Sequence, residues 1–294
     1  MKFPPPRLLT RCAPLALLLL GALTLPAALH AQAPTKLFVA STGNDANDGS
    51  RGSPKRNFQA AHDAVAAGGQ IVVLDTAGYG ALNITKSVAV TVPPGVNGFV
   101  TVSGDNSGIT INAGAGDVVA LRGLIVEGGG SGNSGLGISA VTVGNVSVVD
   151  CTARSFATGI GVAPTTAGKA YVHNCEVRGC ANGLLINSGS QLGSVIALVT
   201  GCRLEQNQFG LNASNPNSSA SVDVTLVDCA LAGNTAYAVT AFATGCLVRA
   251  DNCRITGNAG GVSVGNGAQV LSRGNSTVEK NTTGNGFSGP YSAK

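Results

Sequence analysis

Six side chains that could bind a charged ligand fall on three consecutive copies of a repeated phrase in the second half of the chain. They are Arg154, His173, Glu176, Arg178, Arg203 and Glu205. Arginine binds carboxylates through two parallel hydrogen bonds. This cluster therefore predicts a ligand-binding surface for a sugar polymer, with the arginines facing the carboxylates of uronic acids.

Two carboxylates of this cluster, Glu176 and Glu205, are expected to lie diagonally on neighbouring strands, with their backbones about 7–8 Å apart. Inverting glycoside hydrolysis uses two carboxyl groups roughly 6.5–9.5 Å apart. The arginine neighbours would keep both groups ionised, however, so neither could act as the general acid. The alternative is structural: Glu176 beside Arg203 and Arg178 beside Glu205 form cross-strand pairs of about 0.2–1 kcal/mol each.

Two glycine motifs do not carry chemistry. Gly130, Gly132 and Gly135 fit a dinucleotide-binding pattern, and Gly261 to Gly265 fits a nucleophile-elbow pattern. Each pattern requires a following helix, whereas the next residues in both cases are typical of strands. Beyond the N-terminal 31 residues there are only two histidines, which argues against a Ser-His-acid triad or a histidine metal site. We predict neither a metal nor a cofactor.

The elements that position these residues are set by a repeat of 23 to 27 residues. Each copy is anchored on Cys or Ser: Cys151, Cys175, Cys202, Cys229, Cys253 and Ser276. An apolar residue follows two places later: Ala153, Val177, Leu204, Leu231, Ile255 and Val278. Four copies have Asn five places after the anchor, and five have Gly eight places after it.

A period of this length indicates stacked structural repeats. The copies are rich in Val, Thr, Ile, Gly, Asn and Ser, which favour strands and turns over helices. Three short strands per copy predict an all-β parallel β-helix, a solenoid whose successive coils lie about 4.8 Å apart.

Three columns of side chains should then stack along the solenoid. The Asn column should form an amide ladder and adopt left-handed backbone conformations, and the Gly column should mark a second tight bend. The Cys column should be a row of buried free thiols. Cys180 and Cys246 lie outside that column and are the better candidates for a disulfide.

On these repeats the chain resembles the exported right-handed β-helix proteins of the pectin-lyase-like superfamily. The segment LFVASTGNDANDGSRGSPKRNFQAAHDAVAAGGQIVVL also resembles the start of such proteins. The resemblance covers residues 37 to 285. It implies a right-handed coil whose open end is capped by a strand, a polar loop and a short helix. The catalytic segments of polygalacturonases and alginate epimerases are absent, and the acidic residues are too scattered for the calcium cluster of pectate lyases.

Four segments are predicted along the chain. Residues 1–31 read as a signal peptide, because Lys2, Arg7 and Arg11 precede an apolar run and a small-residue cleavage site. Residues 34–80 form the N-terminal cap, 81–285 the β-helix and 286–294 a C-terminal tail. Within the cap, residues 57–67 predict a helix ended by two glycines. The loop 43–50 resembles the first half of a calcium loop but lacks the later Glu, so an Asx-turn loop is favoured.

Charge excludes one class of partner. The chain has 18 basic and 14 acidic residues, and the signal peptide removes three basic ones, which leaves no basic face for nucleic acid. We therefore predict a secreted or periplasmic monomer that binds an acidic or neutral polysaccharide. After removal of the signal peptide, we expect it to bind no membrane. A non-catalytic binding or surface-structural role comes first. The alternative is a polysaccharide lyase or glycoside hydrolase for an acidic glycan, with an unfamiliar catalytic arrangement.

Overall fold

The computed structural model describes residues 1–3, 33–129, 135–188, 193–216 and 219–292. Contacts divide the chain into Met1–Gln32 and Ala33–Lys294, and every described strand belongs to the second unit. The predicted signal peptide lies outside the described residues except for its first three. Among the described residues, no helix combines the length and apolar character that crossing a membrane would need.

The fold is a parallel β-helix, as the repeat predicts. Each strand pairs in parallel with its counterparts in the coils before and after it. The first sheet has eleven strands within the described ranges. These are Lys36–Val39, Gly69–Val73, Val88–Thr91, Val118–Arg122, Asn145–Val149, Gly168–His173, Val195–Thr200, Val222–Val227, Cys246–Asp251, Gln269–Ser272 and Gly289–Pro290. The segments predicted as cap and tail thus contribute the outermost strands of this sheet.

The second sheet follows the first in each coil and has nine described strands. These are Ala77–Gly78, Gly98–Ser103, Leu124–Gly129, Thr152–Arg154, Glu176–Arg178, Arg203–Glu205, Ala230–Ala232, Arg254–Thr256 and Thr277–Glu279. The third sheet has eight in the described part of the chain. These are Leu82–Ile84, Ile109–Asn112, Leu136–Thr142, Thr158–Val162, Asn182–Asn187, Phe209–Ser214, Tyr237–Phe242 and Gly260–Gly265.

Along the chain, the short helix Phe58–Ala64 follows the first strand of the first sheet and precedes the second. Its residues Phe58 and Ala61 are buried against the core. It begins one residue later than predicted and ends three residues earlier, because Val65 is already extended at φ −72° and ψ 146°. The two glycines therefore do not end the helix. Gly69 instead begins the next strand.

The cysteine column lies at the bend between the first and second sheets. The bend is made by the residue before each Cys, which has a positive φ at Asp150, Asn174 and three equivalents: Gly201, Asp228 and Asn252. The seven described cysteines are all buried and free, so Cys180 and Cys246 form no disulfide. Burial raises the pKa of the Cys246 thiol to about 11. These thiols fill the core as small apolar side chains.

The asparagine column forms the predicted ladder at the bend between the second and third sheets. The Oδ1 atom of each Asn accepts the backbone N–H of the residue one coil earlier, at 2.9–3.0 Å for Asn234, Asn258 and Asn281. The left-handed conformation does not fall on these asparagines, contrary to expectation. It belongs to the residue just before each, such as Gln206 at φ 57° and Gly233 at φ 65°.

Four of the five glycines of the column are not at a bend. Gly159, Gly183, Gly210 and Gly261 lie inside third-sheet strands, where close approach between coils explains their identity. Gly284 lies outside the strands and has a positive φ of 66°. A Cβ atom on Gly183 would lie 2.7 Å from both the carbonyl oxygen of Gly210 and the Nδ2 atom of Asn207. Space therefore selects glycine here, whereas the sequence suggested a turn.

Candidate functional site

Three neighbouring strands of the second sheet position most of the predicted site. Their register places Glu176 beside Arg203 and Arg178 beside Glu205, as predicted. Arg154 lies beside Arg178 on the other side of the same strand. Five of the six predicted residues thus share one outer surface. The sixth, His173, ends a strand of the first sheet and is separated from Glu176 by the bend.

The ion pairs of Glu176 and Glu205 run along their strands and not across to the neighbouring strand. Arg178 Nε lies 3.2 Å from Glu176 Oε1, and Arg203 Nη2 lies 2.8 Å from Glu205 Oε2. Residues two apart on a strand point to the same side, so this pairing satisfies the register equally well. The expected cross-strand ion pairs are therefore replaced by pairs within each strand.

The remaining arginine has a partner that the sequence did not reveal. Arg154 pairs with Glu127, which belongs to the preceding coil. Register brings the two side by side. That coil has no Cys anchor, so the repeat gave no reason to align Glu127 with the cluster. The alternation of apolar residues in Leu124–Gly129 was the signal that could have found it.

A shallow depression of about 220 Å³ lies at the bend beside the cluster. Its lining includes Asp150, Thr152, Asn174, Glu176 and Arg203. Asp150 accepts a hydrogen bond from Asn174 at 2.8 Å and pairs with Arg122, also at 2.8 Å. Hydrogen bonding to Glu205 raises the pKa of Arg203, which is charged in any case. The depression thus presents charges that already have partners.

The ring of His173 takes part in a second arrangement on the first sheet. It stacks on Tyr171 with centroids 5.7 Å apart and planes 7° from parallel. Its Nδ1 atom lies 2.6 Å from the hydroxyl of Thr200 on the next strand. The histidine is therefore oriented by the first sheet and not by the carboxylates of the second.

Around this stack lies an exposed apolar surface, which we call the Tyr171 face: Tyr171, His173, Ile196 and Leu198. Tyr171 is 38% exposed, Leu198 beside it 40%, and Ile196 57%. A groove of about 280 Å³ adjoins it and is lined by residues that include Asn145, Lys169 and Ile196. The sequence contained this signal, because Lys169 and Tyr171 alternate with the buried Ala170 and Val172.

Metal binding finds no support in the described ranges, where no group of three or more His, Cys, Asp or Glu side chains could hold an ion. Six carboxylates lie instead in separate arginine pairs, and others, such as Asp75 and Asp117, accept hydrogen bonds from serine hydroxyls. The chemistry that the surface offers is hydrogen bonding from paired polar groups and contact with apolar side chains.

No protein-family model matches the chain, and no curated protein matches it. Among solved structures, pectate lyase Pel9A is similar, with 13% identity, a TM-score of 0.52 and coverage of 84% of this chain and 79% of that one. A rhamnogalacturonan lyase has 13% identity, a TM-score of 0.45 and coverage of 81% and 67%. The GH136 lacto-N-biosidase from Eubacterium ramulus has 8% identity, a TM-score of 0.36 and coverage of 80% and 67%. The chain therefore has the right-handed parallel β-helix fold of the pectin-lyase-like proteins.

Proposed function

We propose that this protein is exported and that it binds a polysaccharide on its outer surface without cleaving it, as a binding or surface-structural protein. The observation that carries the proposal is the exposed Tyr171 face, set on a solenoid that holds six outer arginines in ion pairs. Pectate lyase Pel9A, which shares the fold, acts as its name says on a polysaccharide. The N-terminal charge and apolar pattern supports export.

The paired charges argue against catalysis. Six exterior arginines each have a carboxylate partner in the described structure: Arg122, Arg154, Arg178, Arg203, Arg249 and Arg273. A glycosidase acid must carry a proton in the resting enzyme. Glu176 and Glu205 are each held in an ion pair with a guanidinium, at 3.2 and 2.8 Å. The same pairing occupies these six guanidinium groups, which could otherwise bind uronates, so we favour a neutral glycan over an acidic one.

The Tyr171 face has the properties that a sugar ring requires. A pyranose has an apolar face of C–H groups and an edge of hydroxyls, so it packs on a flat aromatic or aliphatic surface that has polar groups at its border. The ring of Tyr171 stacks on the ring of His173, which contacts the hydroxyl of Thr200 in turn. Lys169 and Asn145 border the apolar surface along the adjoining groove. Few rotamers remain to be fixed on binding, which lowers the entropic cost.

The solenoid extends this surface in one direction. Parallel pairing places Ser147, Tyr171, Leu198 and Thr225 in one outward row on successive strands. Neighbouring residues of this row lie about 4.8 Å apart, the distance between strands. Solenoids present extended surfaces of this kind to ligands. A polymer lying along the row would contact several coils at once.

We expect Tyr171→Ala to weaken binding of the protein's best glycan by about tenfold or more, since an aromatic stacking contact is worth about 1 kcal/mol beyond its area. The ligand is found on a glycan array and the affinity measured by calorimetry. Phe242→Ala is the matched control, because Phe242 is 48% exposed but lies on the third sheet. Equal loss in the two variants would reject the Tyr171 face as the binding surface.

We expect the double variant Arg178→Glu and Arg203→Glu to bind a neutral glycan with less than about threefold change, because these side chains lie around the bend from Tyr171. A large loss on a uronic-acid polymer would instead place the ligand on the second sheet. Assays for new reducing ends and for unsaturated products on the same glycan test the non-catalytic role. Sustained product formation would replace this proposal with the lyase or hydrolase alternative.

A further inference from the structure

The polar loop between the first strand and the helix surrounds a buried ammonium group. Lys55 is only 7% exposed. Lysine is almost never buried to this extent without partners, because desolvating its charge is costly. The surrounding loop, residues 43–56, must therefore supply groups that replace water around the Nζ atom.

Those groups are backbone carbonyls. Lys55 Nζ donates to the carbonyl oxygen of Asp45 at 2.9 Å and to that of Asn47 at 2.7 Å. Protein loops offer carbonyl oxygens in the same way to hard metal cations. The loop contains the predicted Asx turns, at Asn44 and Asp48. Its carbonyls also surround a cation, which the chain itself provides.

The carboxylates of the loop accept hydrogen bonds from other donors, and their charges add to the attraction for Lys55. Asp45 accepts the backbone N–H groups of Arg56 at 2.9 Å and Asn57 at 2.8 Å, and it also accepts the side-chain amide of Asn57. Asp48 accepts the N–H of Ser50 at 2.8 Å. These bonds shape the turns of the loop, and its carbonyls hold the ammonium.

The loop also covers an edge of the β-helix. The strand Lys36–Val39 pairs on one side with Gly69–Val73. On its other side Phe38 donates its N–H to the carbonyl of Gly49 at 2.8 Å and accepts the N–H of Lys55 at 3.0 Å. An uncovered strand edge pairs readily with another chain. Lys55 thus contributes its backbone to the edge and its side chain to the loop.

We propose that loop 43–56 is a cation-binding loop whose occupant is the ammonium of Lys55, and that this internal cation keeps the outer edge of the first strand covered. Without it, the carbonyls of Asp45 and Asn47 would lose their donor and the loop would open. The exposed edge would then pair with a second copy of this chain. The inference is independent of the proposed polysaccharide binding.

Lys55→Met tests the proposal, because methionine keeps an unbranched side chain of similar length but donates no hydrogen bond. We expect the melting temperature to fall by about 5 °C or more, since two carbonyls are left unsatisfied, and we expect concentration-dependent association in light scattering. Lys36→Met is the matched control, since it removes an exposed lysine from the covered strand. Equal melting temperatures and a monomeric state for both variants would overturn the proposal.

Chemical rescue keeps the test informative if Lys55→Met folds poorly. Lys55→Ala lacks the atoms that propylammonium can replace, so we expect added propylammonium to raise its melting temperature or its refolding yield. Propan-1-ol has nearly the same shape without the charge and should have a smaller effect. If the neutral alcohol rescues equally well, packing and not an internal cation holds the loop, and the proposal is wrong.

Discussion

Replacing Asn234 by alanine is expected to lower the free energy of unfolding by about 3–5 kcal/mol, because three hydrogen bonds of a buried group are lost together. The side chain is 1% exposed. Its Oδ1 atom accepts the N–H of Asn207 at 3.0 Å. Its Nδ2 atom donates to the carbonyl of Leu204 at 3.0 Å and to Oδ1 of Asn258 at 2.8 Å. Alanine satisfies none of these partners, and their burial keeps bulk water from replacing the lost bonds.

Urea unfolding followed by circular dichroism measures this loss. Asn83→Ala is the control, because Asn83 is exposed on a third-sheet strand outside the ladder, and it should change stability by less than about 0.5 kcal/mol. Similar midpoints for the two variants would mean that the ladder is not a source of stability. A solenoid depends on contacts between neighbouring repeats, so we expect a break at Asn234 to affect the coils on both sides.

The ladder was readable from sequence because its members keep their distance from each anchor, and stacking follows from that spacing. The spacing also predicted Cys180 at one end of the row, but it did not predict the residue at the other end. At one end Cys180 takes the ladder position and donates its N–H to Asn207. At the other end, the Oδ1 atom of Asn285 accepts hydrogen bonds from the backbone N–H and the side-chain amide of Asn281, so Asn285 is the last member of the row. Asn285 lies nine places after Ser276, outside the spacing of the column, so the repeat could not identify it as the last member of the row.

In the candidate site, too, the sequence predicted some features and not others. Register follows from the repeat, so the strand neighbours of Glu176 and Arg178 were predicted correctly. The choice of ion-pair partner depends on side-chain rotamers, since a glutamate can meet an arginine on its own strand or on the next. The site predicted from charges included His173 but left out the other three residues of the Tyr171 face. Exposed apolar residues resemble core residues in a sequence until the direction of each strand position is known.

The effect of replacing Leu204 can be predicted because its side chain points into the core of the solenoid. Leu204 lies two places after its anchor, at the centre of the strand Arg203–Glu205, and is 1% exposed. We expect Leu204→Ala to lower the free energy of unfolding by about 3–5 kcal/mol, because the lost transfer energy adds to the cost of a cavity in a narrow core. The rigid coils on both sides, with Val177 and Leu231 at the equivalent positions, limit collapse into that space.

Leu198→Ala is the matched control for this prediction, since it removes the same atoms from the same coil. Leu198 points outward on the first sheet and is 40% exposed, so its loss should cost less than about 1 kcal/mol. The pair separates two roles that leucine has in one turn of the solenoid. If Leu204→Ala and Leu198→Ala unfold at the same urea concentration, the second-sheet strands do not face a common core. If stability depends only on Leu204 while Leu198→Ala reduces glycan binding, inward residues hold the coil and outward ones contact the ligand.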